Sequence, residues 1–373
     1  MYQIRVPHST VKFREHCIRA KRRGRRPVRP DWHRPTARSR MPGFRFFTRD
    51  PDTGMASSDK LRVGLAQIAP VWIDKTATIR KVCEKIDAAA RAGAGLVCFG
   101  EGLVPGYPFW PELTDGAVFD SAKQKRLFSH YSTQAVSIES GDLEAVVSVC
   151  RGSDIAAYLG IIERASDRTG HSLYASLVYI DAGGSIRSVH RKLVPTYEER
   201  LVWSPGDGHG LRTHRLGTFT AGGLNCWENW MPLSRAALYA QGEDLHVAVW
   251  PGNRRNTEEI TRFIALESRS FVVSVSGFMT PADIDDATPY ASEIKNKMPA
   301  YAADGGSCVA APDGSWVIEP VCNEESLIIA DLDHARVREE RQNFDPAGHY
   351  SRPDVVSLNV NRRRQNIAAF DDD

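Results

Sequence analysis

Three short segments of this 373-residue chain place a reactive polar side chain where a buried strand is expected to end. Residues 96–105 read LVCFGEGLVP, with Glu101 just beyond the apolar stretch; residues 190–203 read HRKLVPTYEERLVW and carry Lys192 and Glu199; residues 222–232 read GGLNCWENWMP and carry Cys226. A cysteine next to a cation and to the start of a helix is held toward the thiolate, the nucleophilic form. A carboxylate within reach can take the thiol proton and later activate water. Carboxylate, ammonium and thiol together form a set suited to covalent attack on an electron-poor carbon.

Taken singly, none of these residues decides anything. A buried cysteine is most often an inert small hydrophobe, and a glutamate or lysine beside a strand is most often solvated or ion-paired. The weight lies in the joint placement, because ligands of open α/β sheets gather where strands end.

The elements that must hold these residues are legible as an α/β pattern from Leu61 onward. Val63, Leu65 and Ile68 alternate as a strand. Residues 76–92 then put Ile79, Val82, Cys83, Ile86 and Ala90 on one helical face, and Gly93 ends the helix. The sequence predicts further strands over 96–99, 155–163, 173–180, 219–225, 245–250, 271–276, 307–311 and 327–332, and helices after Cys226 and over 256–270. Asp181 to Gly184 and Pro312 to Gly314 supply turns. No repeat or linker interrupts this stretch, so residues 59–345 are expected to form one domain, followed by a C-terminal tail over 346–373.

Residues 1–58 differ in kind. The first 55 residues hold 15 Lys and Arg against 4 Asp and Glu, whereas the rest of the chain holds 33 against 42, so the formal +2 describes neither part. An extension without regular structure is expected there. A nucleic-acid tail or a transit peptide is the functional reading, and an over-extended reading frame with Met55 as the natural start is the plainer one. The seven cysteines (Cys17, Cys83, Cys98, Cys150, Cys226, Cys308, Cys322) show no CxxC pair or matching histidine spacing, so no metal site is expected. Their odd number, with no apolar leader and no run of membrane-spanning length, points to free thiols in the cytoplasm.

At Glu101, Lys192 and Cys226 the chain resembles the nitrilase superfamily, whose members carry a Glu–Lys–Cys triad in this order. The glutamate after the second apolar strand, the lysine in an H-R-K-L run and the cysteine in a G-L-x-C motif all match. Glu199, seven residues after the lysine, matches a further family glutamate. Trp227-Glu228-Asn229 after the cysteine, Pro232-Leu233, Trp203 and Gly206-Asp207-Gly208 resemble the nitrilase branch rather than the amidases or carbamoylases. The resemblance covers about residues 61–333, and the Arg352-Pro353-Asp354 stretch is similar too.

The resemblance implies an αββα sandwich, pairing into an αββα–αββα dimer or a larger spiral assembly. It implies hydrolysis of an organic nitrile to the acid and ammonia through a cysteine thioimidate and thioester, with water as co-substrate and neither metal nor organic cofactor. Glu101 would be the base, Cys226 the nucleophile, Lys192 the stabiliser of charge on nitrogen, and Glu199 a positioning carboxylate. Tyr107, Trp110 and Trp227 are candidate substrate contacts. Amide or N-carbamoyl hydrolysis, or nitrile or cyanide hydration, on the same triad is the nearest alternative; nucleic-acid binding through the basic arm is a remote one. His246 reads as a satisfied core histidine, and Gly222 and Gly223 as points of close backbone approach.

Overall fold

The computed structural model describes residues 59–368. The expected N-terminal extension, and with it the nucleic-acid reading, lies outside the described residues. In chain order the elements are β1 (Lys60–Gln67), α1 (Lys75–Arg91), β2 (Leu96–Phe99), α2 (Trp110–Leu113), α3 (Ala122–Gln134), α4 (Glu144–Gly152), β3 (Ala156–Arg164), β4 (Leu173–Ile180) and β5 (Ile186–Arg191). They continue as β6 (His214–Leu216), β7 (Phe219–Asn225), α5 (Pro232–Tyr239), β8 (Leu245–Trp250), α6 (Arg254–Ser268), β9 (Phe271–Ser276) and β10 (Phe278–Met279). The remainder is α7 (Ala291–Lys297), β11 (Ala303–Ala310), β12 (Trp316–Cys322), β13 (Ser326–Asp333) and α8 (Ala335–Asn343).

The strands form two sheets. One runs β13-β1-β2-β3-β4-β5; the other runs β10-β11-β9-β8-β7-β6, with β12 paired to β11. Because side chains alternate across a strand, each sheet carries two apolar faces. Leu96 and Cys98 of β2 point into the layer between the sheets, where they meet Val247 and Val249 of β8 and Val273 and Val275 of β9. Val97 and Phe99 point the other way, against Ile79, Val82 and Ile86 of α1 and Val146 of α4. On the far side, Ile260, Ile264 and Ala265 of α6 cover Ala248 and Trp250. The order of layers is therefore α, β, β, α, as the resemblance implied.

α1 begins where Asp74 accepts a hydrogen bond from the Ala77 N–H at 2.8 Å, and it ends at Gly93 with a left-handed φ of +79°. Most strands lie within a residue or two of their predicted bounds. β5, the edge strand leading into Lys192, has no counterpart in the sequence reading, nor do α3 and α4. The predicted helix after Cys226 begins later than a direct strand-to-helix junction would have it. Residues Cys226–Trp230 form a 3₁₀ turn, and α5 starts only at Pro232. Proline lacks the N–H a helix interior needs and drives the preceding residue extended, and Met231 has φ −82° and ψ 105°. No helix among the described residues is long and apolar enough to cross a membrane.

Candidate active site

Glu101 follows β2 on a turn stitched to the opposite sheet: its N–H donates to the carbonyl of Trp250 at the end of β8, at 3.1 Å. The turn crosses β3 at Gly160, where an added Cβ would lie 2.1 Å from the Gly100 oxygen and 2.9 Å from the Glu101 Cα. Only glycine admits that approach. The Glu101 side chain is buried, and neither of its oxygens accepts a hydrogen bond from the described residues, although the Lys192 ammonium stands 2.9 Å from Oε1 as an ion pair.

Lys192 is the first residue past β5. Its N–H donates to Ala175 at 2.8 Å and its carbonyl accepts from Gly206 at 2.7 Å, so its backbone is fixed on both sides. The ammonium also donates to Glu199 Oε2 at 2.7 Å and lies 5.7 Å from the centre of the Trp203 ring. The 3₁₀ turn Tyr197–Leu201 carries Glu199, whose Oε2 accepts from the Thr196 N–H at 2.6 Å and whose Oε1 accepts from the Tyr107 hydroxyl at 2.8 Å. One ammonium thus bridges two buried carboxylates.

Cys226 follows β7 with φ +48°, a left-handed conformation uncommon outside glycine, and turns its sulfur to Glu101 and Glu199. The thiol and one oxygen of each carboxylate lie within 4.8 Å of one another. The bend is held from behind. Asn229 Nδ2 donates to the Cys226 carbonyl at 2.8 Å and to Leu224 at 3.3 Å, Asn229 Oδ1 lies 2.8 Å from His246 Nε2, and His246 Nδ1 lies 2.9 Å from Glu243 Oε1. His246 is thus a fully bonded core histidine. Gly222 is needed beside it, since a Cβ there would sit 2.2 Å from Glu243 Oε1.

Burial sets the electrostatics. It pushes the Cys226 thiol well above its ordinary value; Lys192 and the Trp227 N–H oppose this, and Glu101 and Glu199 add to it. The sequence reading of a thiolate held by a helix terminus is corrected accordingly: the helix starts too late, and in the dry pocket the thiol keeps its proton until a base removes it. Burial also raises Glu101 to about 8, against the pull of Lys192. Burial alone would lower Lys192, but the charge that Cys226, Glu101 and Glu199 carry when ionised, with the hydrogen bond to Glu199, reverses that and holds it cationic. The three acidic ligand atoms would suit a divalent cation by spacing, yet the Lys192 ammonium, 2.9 and 2.7 Å from the two carboxylates, already supplies the positive charge there.

Cys226 opens on a cavity of about 360 Å³ lined by Tyr107, Phe109, Leu113, Tyr197, Trp227 and Pro299 among others. Tyr107 and Trp227, both singled out from the sequence, face it. Trp110 does not: it is buried one layer back, with its ring 4.7 Å from that of Tyr131. Glu228, unremarked in the sequence except as a letter of the Cys226 motif, is buried and joined to both Asn225 and Leu193. Its one local signal was the Asn225-to-Glu228 spacing of a capping box.

The sequence profile of the carbon–nitrogen hydrolase family matches residues 62–342. A nitrilase of Pseudomonas syringae is 36% identical over 318 residues, spanning 81% of this chain and 90% of that protein. An aliphatic nitrilase of Rhodococcus rhodochrous is 33% identical over 321 residues, spanning 82% and 84%. In three dimensions, a carbon–nitrogen hydrolase from Helicobacter pylori superposes with a TM-score of 0.60 at 17% identity over 79% of this chain and 96% of its own. The C. elegans NitFhit protein does so at 0.61 and 16% over 84% and 70%. The αββα layers are common to these folds, and with the profile match and the level of identity over most of its length, the chain belongs to the carbon–nitrogen hydrolase family.

Proposed function

We propose that the protein is a nitrilase that converts an organic nitrile to the carboxylic acid and ammonia. The observation that carries this is the buried cluster itself: a thiol, a carboxylate with raised proton affinity and an ammonium, drawn together beside a cavity lined by aromatic and polar side chains. The nitrilase names of relatives a third identical over most of the chain support the substrate class.

In this reading Glu101 takes the Sγ proton as the sulfur adds to the nitrile carbon, and the proton passes to nitrogen to give a thioimidate. The ammonium of Lys192 and the Trp227 N–H stabilise the charge that develops on nitrogen. Water activated by Glu101 adds to the thioimidate, ammonia leaves, and a thioester remains. A second water releases the acid and restores the thiol, so two waters are consumed for one ammonia. Glu199 holds Lys192 in place, and Tyr107 and Trp227 contact the substrate. No metal or organic cofactor has a part in this chemistry.

The protein is further inferred to work as a homo-oligomer through its α5–α6 face, which exposes Leu233, Trp230, Phe263 and Leu266. An exposed apolar patch of this kind marks an association surface. A cytoplasmic location agrees with the free state of the six described cysteines. The domain limits are proposed as 59–345 for the hydrolase unit, with flanking segments 1–58 and 346–373.

The test is ammonia release from a panel of aliphatic, aromatic and arylaceto nitriles, with Cys226→Ala as control. Acid and ammonia in step, both lost in the variant, are expected. Amide as the main product would move the assignment to a hydratase, and activity that survives Cys226→Ala would remove the nucleophile.

A further inference from the structure

The nucleophile and its cation come from different sheets. Lys192 follows β5, the edge of the first sheet, and Cys226 follows β7 of the second. Their separation is not fixed by either sheet's own hydrogen bonds, so something must span the gap.

One buried carboxylate does. Glu228 Oε1 accepts the N–H of Leu193, the residue directly after Lys192, at 2.6 Å, and Oε2 accepts the N–H of Asn225, the residue directly before Cys226, at 2.9 Å. His190 Nε2, two residues before Lys192, lies 3.2 and 3.1 Å from the same two oxygens. Glu228 and His190 are both buried, and no oxygen of Glu228 faces the cavity lining. A carboxylate that accepts from two main-chain N–H groups and faces an imidazole is strongly held as the anion, and its charge strengthens each bond. Burial would raise its proton affinity, but His190 and the two N–H groups outweigh burial and leave it below the ordinary value.

We infer that Glu228 is a positioning residue: its carboxylate straps the strand end that carries Lys192 to the strand end that carries Cys226, and so sets the ammonium-to-sulfur distance on which attack depends. It touches neither substrate nor sulfur. Its effect is transmitted through backbone on both sides, one residue from each functional group. The inference rests on Cys226 and Lys192 acting as the proposed function has them.

The natural test is Glu228→Gln, which preserves length and shape but turns one acceptor into a donor, so that either Leu193 or Asn225 faces an N–H it cannot bond. Asp244→Asn is the comparison. Asp244 is also a buried carboxylate, accepting the Thr220 N–H at 2.6 Å and facing His334 at 2.9 Å, but it sits where β7 and β8 begin, at the end away from Cys226. Since a misplacement of about 1 Å costs on the order of 100-fold in rate, Glu228→Gln is expected to lower kcat by about 10- to 100-fold per folded molecule. KM should stay within about threefold, because the cavity lining is intact. Asp244→Asn should lose stability and keep its turnover.

Alkylation of Cys226 by iodoacetamide, followed by mass, needs no nitrile and separates this inference from the substrate assignment. The rate should fall by about tenfold in Glu228→Gln, as the thiol loses the nearby ammonium that favours its ionisation. Glu228→Asp, which keeps the charge opposite His190 but withdraws the oxygens by one methylene, supplies the same comparison if the glutamine variant does not fold. Wild-type alkylation and turnover in folded Glu228 variants would overturn the inference. So would an equal loss in Asp244→Asn, which would reduce the effect to general destabilisation.

Discussion

The Tyr107 hydroxyl donates to Oε1 of Glu199 at 2.8 Å, while the other oxygen of that carboxylate holds the Lys192 ammonium at 2.7 Å. The pocket wall and the Lys192 ammonium therefore share one carboxylate. Tyr107→Phe keeps the ring against Trp203, centroids 5.4 Å apart, and removes only the donor. The bond stabilises the fold by about 1.5–3 kcal/mol, and its loss also lets Glu199 shift under the Lys192 ammonium, so kcat per folded molecule should fall by about tenfold. Steady-state kinetics against thermal melting distinguishes this from a packing defect, which would lower the melting temperature alone.

Glu101 makes a prediction about pH. Its carboxyl is raised from 4.5 to about 8, chiefly by burial. A raised acid binds its proton more tightly in the folded chain than in the unfolded one. Its ionisation therefore withdraws stability as pH climbs through that window, and the stability is fully present below it. Turnover needs the ionised form, so kcat/KM should rise with pH along a limb centred near 8. Glu101→Gln should be inactive and should lose less melting temperature than the wild type between acidic and mildly alkaline buffer. Equal slopes in the two proteins would count against the assignment.

Gly160→Ala is expected to be severe although the site is remote from the cavity lining. The new methyl meets backbone, the Gly100 oxygen at 2.1 Å, which cannot rotate away as a side chain would. Overpacking costs about 1–3 kcal/mol or more, and here the strain falls on the turn that aims Glu101. Loss of activity in excess of the loss in folded protein, read by circular dichroism, is the expected outcome.

The α5–α6 face offers the plainest test of assembly. Leu233 and Phe263 are 68% and 47% exposed. Replacing both with glutamate places unpaired charge in any apolar contact made there. Light scattering should show a smaller species than the wild type, and a wild type that is already monomeric would remove the proposal.

How much of this was readable beforehand depends on how local the signal is. Glu101 and Cys226 stand at strand ends that the sequence marks, Lys192 is legible through its H-R-K-L run, and the strands either side of Cys226 were placed to within a residue or two. β5 was missed because its sequence, IRSVHR, offers alternation too polar to stand out, and its burial comes from pairing with β4. The helix expected after Cys226 is delayed to Pro232, a local signal that was present and outranked by the general junction pattern. Trp110 reads as a pocket residue by proximity to Glu101, but α2 turns it inward onto Tyr131. Glu228 could not be assigned from sequence, since its partners at 190 and 193 reach it only when the two sheets close and its spacing from Asn225 marks no more than a local cap.

That closure has a consequence of its own. The Trp250 carbonyl of the second sheet accepts from both Glu101 and Gly277, and Glu101, Lys192 and Cys226 are drawn from opposite sides of the interlayer. Neither half of the sandwich contains a fragment of the chemistry that would work alone. A partly folded or loosened chain, with every strand formed but the layers apart, is chemically silent, so turnover doubles as a gauge of native docking.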